Sequence, residues 1–148
     1  MTHAASMEFD RQRDRLLALG YPALAGTTDD EFVALIEPIR QHVDRIDTQP
    51  ATASNVPWVL VINPTLIAPE LLVPLLHLQG GTLPGVVDRN HGEDGLTPFV
   101  PLDRLGVPTT PAYLIVGIER GEEFCNVRPE DALPVITARG RTPLTIPE

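Results

Sequence analysis

Trp58-Val59-Leu60-Val61-Ile62 is an unbroken apolar run dominated by Val and Ile, and Asn63-Pro64 brings it to a stop. Such a run, without polar alternation, marks a strand covered on both faces. A second run, Ala112-Tyr113-Leu114-Ile115-Val116-Gly117-Ile118-Glu119, is the best strand in the chain. Arg120-Gly121 supplies a tight turn after it, and residues 122–127 are expected to run back as the second arm of a β-hairpin. A small mixed sheet is therefore expected, built from the Trp58 strand and the hairpin over residues 112–127.

Working outward from the first strand, the upstream chain reads as helical. Ser6 can cap a helix over residues 7–19, with Gly20 suited to the left-handed position that follows a helix. Thr28-Asp29-Asp30-Glu31 is a capping-box pattern, in which the Thr and Glu side chains satisfy each other's orphan backbone donors. Phe32, Ile36, Ile39, Val43 and Ile46 follow at helical spacing. Pro38 interrupts them, and an interior proline costs roughly 3 kcal/mol, so a kink or two shorter helices are expected near Glu37. Residues 48–55 are small and polar and read as a linker.

Between the two strands, Pro69 suits the first turn of a helix, Glu70 favours its positive end, and Gly80-Gly81 is expected to end it. Prolines at 98, 101, 108 and 111 predict extended, irregular backbone. Pro129-Glu130-Asp131 then opens a short helix that ends at Gly140. The chain is thus expected to form one α+β domain over residues 1–148, with a helical segment (6–47), a linker (48–55) and an α+β part (56–148).

Composition excludes several classes of protein. The chain has 148 residues, 43% hydrophobic and 21% charged, which is ordinary for one soluble domain with a sizeable core. Its longest apolar stretch, residues 66–78, is broken by Pro69, Glu70, Pro74 and His77, well short of the roughly 20 residues a membrane-spanning helix needs. The net charge is −9 and the eleven basic residues are scattered, which argues against nucleic acid and anionic lipid as partners. A single cysteine, Cys125, allows no internal disulfide. Residues 1–14 hold no secretory signal pattern, and both features point to the cytoplasm. All the basic residues are Arg, so Schiff-base lysines, P-loop lysines and serine–lysine dyads are absent.

The reactive side chains crowd into one polar island, Asp88-Arg89-Asn90-His91-Gly92-Glu93-Asp94-Gly95. His91-Gly92-Glu93 matches the first half of the zinc deaminase signature, but the second half needs two cysteines. The spacing of oxygen donors from Asp88 does not fit a calcium loop either. A looser metal site of His91 with Asp88, Glu93, Asp94 or His77 is chemically possible, although its spacing identifies no metal. The plainer reading is structural: Asp88 and Asn90 shape a turn, Arg89 pairs with an acid, and Gly92 and Gly95 provide bends. Cys125 is expected to be a buried, inert thiol. His42 and His77 are expected on helices, His3 in a frayed end, and Trp58 as a core anchor.

Two stretches carry a resemblance. Gly85-Val86-Val87-Asp88-Arg89-Asn90-His91-Gly92 is one; the other is Asn126-Val127-Arg128-Pro129-Glu130-Asp131-Ala132-Leu133-Pro134, running on to Gly140-Arg141-Thr142-Pro143-Leu144-Thr145-Ile146. Together they resemble an uncharacterised actinobacterial family, a domain of unknown function, from about Phe9 onward. The resemblance implies a bacterial cytoplasmic protein and brings no activity, substrate, cofactor or catalytic residue with it. Members of that family look longer than this chain. In addition, Thr145-Ile146-Pro147-Glu148 has the form of a helix start, so the native protein is expected to continue beyond Glu148 with a helix.

The function expected from these residues is binding. An accessory protein would recognise a protein partner or small molecule with Asp88, Arg89, Asn90, His91, Glu93 and Asp94. The alternative is a small hydrolase or metal-dependent enzyme centred on the same loop; a structural subunit packing through the Phe32–Ile46 stripe is a third reading.

Overall fold

A computed structural model of the chain describes residues 2–46, 50–146 and 148. Part of the expected linker and Pro147 of the expected terminal helix start lie outside the described residues, as does the side chain of His3. The α+β class is the class observed, with helices first and a small sheet after them.

Helix α1 (Thr2–Ala18) starts ahead of Ser6, because Ala4 and Ala5 are strong helix formers, and His3 is part of it. Gly20 sits at φ 80° and leads into α2 (Tyr21–Leu24). The capping box is complete at the start of α3 (Asp29–Ile36): Thr28 accepts from the Glu31 amide while the Glu31 carboxylate accepts from the Thr28 amide at 2.8 Å. Pro38 breaks the helix as expected. A 3-10 turn, Glu37–Ile39, separates α3 from α4 (Arg40–Val43). Arg40 ties α4 to α1. It bonds Asp10 at 2.7 Å and lies 4.5 Å above the Phe9 ring, and this guanidinium holds the Asp10 carboxyl below its ordinary pKa.

Strand β1 (Asn55–Ile62) pairs antiparallel with β2 (Ala112–Glu119), in a register running from Asn55 opposite Glu119 to Ile62 opposite Ala112. The Asn63 amide extends the ladder by donating to the Pro111 carbonyl at 2.8 Å. Trp58, Leu60 and Ile62 share one face of β1 and join Ala5, Phe9, Phe32, Ile36, Val43 and Ile67 in the core. Val61 and Tyr113, opposite each other in the register, are buried as well, and the Tyr113 hydroxyl donates to the Glu148 carboxylate at 3.1 Å. Burial, and then the nearby carboxylate, push the Tyr113 phenol well above its ordinary pKa.

The sheet departs from expectation in two ways. It is purely antiparallel with two strands, and the partner of β2 is β1 rather than residues 122–127. Gly121 does turn at φ 70°, but Glu122–Phe124 coils into a 3-10 turn instead of returning. The physical reason is local. Glu122 and Glu123 break the apolar alternation a return strand needs, and Arg139 grips Glu123 while stacking 5.7 Å from the Phe124 ring, which draws the turn toward the following helix.

Pro57 has no N–H, and the paired positions skip Pro57 and Gly117. The Gly117 carbonyl accepts instead from the Arg141 guanidinium, which supplies the donor that proline lacks. The helix after Pro69 is shorter than expected. α5 (Pro69–Leu72) passes into a 3-10 turn at Val73–Leu75, because Pro74 has no amide to continue it, so His77 lies in a loop instead of on a helix. The irregular chain that follows is held by Asn63, whose side-chain amide donates to the Pro108 carbonyl at 2.8 Å while its oxygen accepts from Thr65. Helix α6 (Pro129–Ala138) closes the fold and ends before Gly140 at φ 70°.

These contributions differ in size. Phe32 is fully buried, and Phe32→Ala should cost about 3–5 kcal/mol in urea denaturation. Thr28→Ala, which removes only the cap, should cost about 1 kcal/mol. Similar losses for both would contradict the placement of Phe32 at the centre of the core.

Candidate functional site

The polar island forms a compact, anchored loop. Asp88 caps it by accepting from the Asn90 amide at 2.8 Å, and Arg89–His91 makes a 3-10 turn. Gly92 follows at φ 69° and ψ −162°, a conformation that glycine alone adopts readily. The His91 ring meets the edge of Phe99 at 5.2 Å and 82°. On the far side, the Glu70 carboxylate accepts from the Leu96 amide at 3.0 Å, fastening the loop to the first turn of α5. The expected turn-shaping role of Asp88 is therefore observed. The expected partner of Arg89 is not: among the described residues no acid pairs with it.

Just upstream, residues 76–85 close on themselves. The Gly85 amide donates to the Leu76 carbonyl at 2.8 Å, and Nδ1 of His77 lies 3.1 Å from the Leu83 carbonyl, which makes Nδ1 the donor. A Cβ at position 85 would fall 2.3 Å from the Val73 carbonyl oxygen, so only glycine allows this closure. The closed loop pushes aliphatic side chains outward: Leu78 is 86% exposed, Leu83 82% and Val86 80%.

Asp88, Arg89, Asn90, His91, Glu93 and Asp94 share this loop. They do not line either of two clefts among the described residues, of about 700 and 560 Å³, and neither does Cys125. Among the described residues no group of three His, Cys, Asp or Glu side chains is placed to hold a metal. Cys125 is exposed beyond the 3-10 turn, which corrects the expectation of a buried thiol. It left the interior because the return strand that would have carried it does not form.

The larger cleft lies between α1 and the outer edge of β1, with Glu8, Arg11, Gln12 and Arg15 along its helical wall. Sequence reasoning missed it. The spacing of those four residues places them on one helix face, a signal available in the sequence, yet nothing local says that this face meets a strand some fifty residues away. Gln12 makes the junction: its carboxamide oxygen accepts from the Leu60 amide at 2.8 Å and its nitrogen donates to the Trp58 carbonyl at 3.3 Å. The smaller cleft runs beside β2, between Ile115 and residues 139–144.

Fold and surface together define a small α+β protein built on one antiparallel strand pair, with an anchored polar loop amid exposed aliphatic side chains. The chain belongs to DUF5701, a family of unknown function, whose family model matches residues 15–148. No curated protein and no solved structure matches it. No helix among the described residues is long and apolar enough to cross a membrane.

Because His91 is only partly covered and makes one ring contact, His91→Ala should change stability by no more than about 1 kcal/mol in urea denaturation. A loss of several kcal/mol would mean that the imidazole is a structural part of the loop's packing and not a surface group free to meet a ligand.

Proposed function

We propose that this is a cytoplasmic accessory protein that recognises a protein partner with the 88–94 loop and the aliphatic side chains beside it. One observation carries the reading. Among the described residues, the four most exposed large apolar side chains, Leu78, Leu83, Val86 and Val100, all lie within the segment that brackets the loop. Soluble proteins rarely leave such side chains in water together without a use for them, and an apolar surface with polar groups at its margin is the usual form of an interaction site. Asp88, Arg89, Asn90, His91, Glu93 and Asp94 supply the polar part. Their role is specificity: charged and amide groups fix register while the aliphatic residues contribute burial.

The loop's anchoring supports the same reading. Ties from Glu70 to Leu96 and within residues 76–85 fix the backbone, which lowers the ordering cost on association. A photoreactive residue placed at Val86, in cells of the source organism, should therefore give a discrete protein adduct. The same residue at Asp30, on the exposed first turn of α3, should not. Arg89→Glu should abolish the Val86 adduct without unfolding the protein. Equal labelling from both positions, or an adduct indifferent to Arg89, would contradict the proposal.

A further inference from the structure

The cleft between α1 and β1 has the makings of a second, separate binding site. Ala4 and Ala5 carry little bulk toward the strand, so the helix meets the β1 edge at Gln12 and leaves about 700 Å³ of space beside it. That volume lies in the range of small-molecule sites, roughly 300–1,000 Å³. Leu16, Val56, Pro57 and Val59, all half-buried, supply the accessible apolar lining, while Trp58 and Leu60 are buried in the core.

The charged lining is unusual for this chain. The protein as a whole carries a net charge of −9, yet the cleft is lined by Arg11 and Arg15 against the single carboxylate of Glu8. Arg11 is occupied by Glu8 through contacts of 2.7 and 2.6 Å, and Glu8 also accepts from Gln12 at 2.8 Å. The Arg11 guanidinium holds the Glu8 carboxyl below its ordinary pKa, so the pair is closed on itself. Arg15 remains. Among the described residues it makes no ion pair and no side-chain hydrogen bond. Tyr21 also lines the cleft, and burial raises the pKa of its phenol, which leaves it a neutral hydroxyl able to donate.

We infer that this cleft binds a small organic carboxylate with an apolar body, its carboxylate at Arg15 and its hydrocarbon against Leu16, Val56 and Val59. Inorganic anions would gain nothing from the apolar wall, and neutral hydrocarbons nothing from the guanidinium. The site is independent of the 88–94 loop, which lines neither cleft.

Phenylbutyrate and its neutral counterpart phenylbutyramide are suitable probes, followed by residue-resolved amide shifts in NMR titrations of the full chain. Phenylbutyrate should give saturable shifts at the amides of Val56 and residues 58–60 and along the 8–16 face of α1, with an affinity about two- to fivefold tighter than the amide's, the span of an exposed ion pair. Arg15→Gln should equalise the two probes, while Arg15→Lys should keep the preference. Ala4→Phe, on an exposed position of the lining, should weaken both. The inference fails if shifts are absent or confined to residues 76–100. Equal affinity of acid and amide for the native protein would also overturn it, as would an unchanged preference in Arg15→Gln.

Discussion

The structure depends on what happens at the two edges of β1. A lone pair of strands is marginal in water, because each strand keeps one edge of unpaired backbone groups. Here β2 takes one edge of β1, and the Gln12 side chain takes the other at Trp58 and Leu60, presenting an acceptor and a donor much as a third strand would. The contact fixes α1 beside the sheet. With α1 in place, Phe9 and Ala5 enter the core against Phe32, Ile36 and Trp58, and Arg40 locks α4 over Phe9. Gln12 is itself set by Glu8, which Arg11 holds, so a short chain of polar contacts on one helix face decides where the apolar side lies.

The remaining parts hang from this unit by fewer ties. Asn63, buried and fully bonded, pins the end of the proline-rich segment to the end of β1. Glu70 holds the polar loop, and Arg141 fills the gap that Pro57 leaves in the ladder. Segments tied at single points, with side chains turned outward, are where surface function can reside without disturbing the core. The two proposed sites divide along this line: the polar loop lies on the tied periphery, while the cleft is a by-product of the α1–β1 junction.

Much of the local structure was legible. The capping box at Thr28 and Glu31, the break at Pro38, both strands and the Pro129 helix each follow from residues adjacent in sequence, whose physics is complete within a turn or two. The failures are partly long-range and partly local. Nothing near Ala112 announces that its partner is some fifty residues upstream, so the nearer segment 122–127 was the natural but wrong choice, and the position of Cys125 went wrong with it. Gln12 looked like one more polar residue on a solvated face because its partner is a strand edge. Three misses were local: Pro74 stops α5 by the same physics as Pro38, Ala4 and Ala5 start α1 ahead of Ser6, and Glu122-Glu123 breaks the alternation a return strand needs. For the site, residue types and turn geometry at Asp88 and Gly92 could be read directly, whereas the absence of these side chains from either cleft is a property of the assembled fold.

The most direct measurement is native-state hydrogen exchange at the Leu60 amide, which points away from β2 and toward Gln12. The account predicts that this amide is protected like those of Val59 and Val61, which face β2, and that Gln12→Ala removes its protection while leaving theirs. Exchange of the Leu60 amide at the rate of an open loop in the unaltered protein, or protection indifferent to Gln12→Ala, would contradict it.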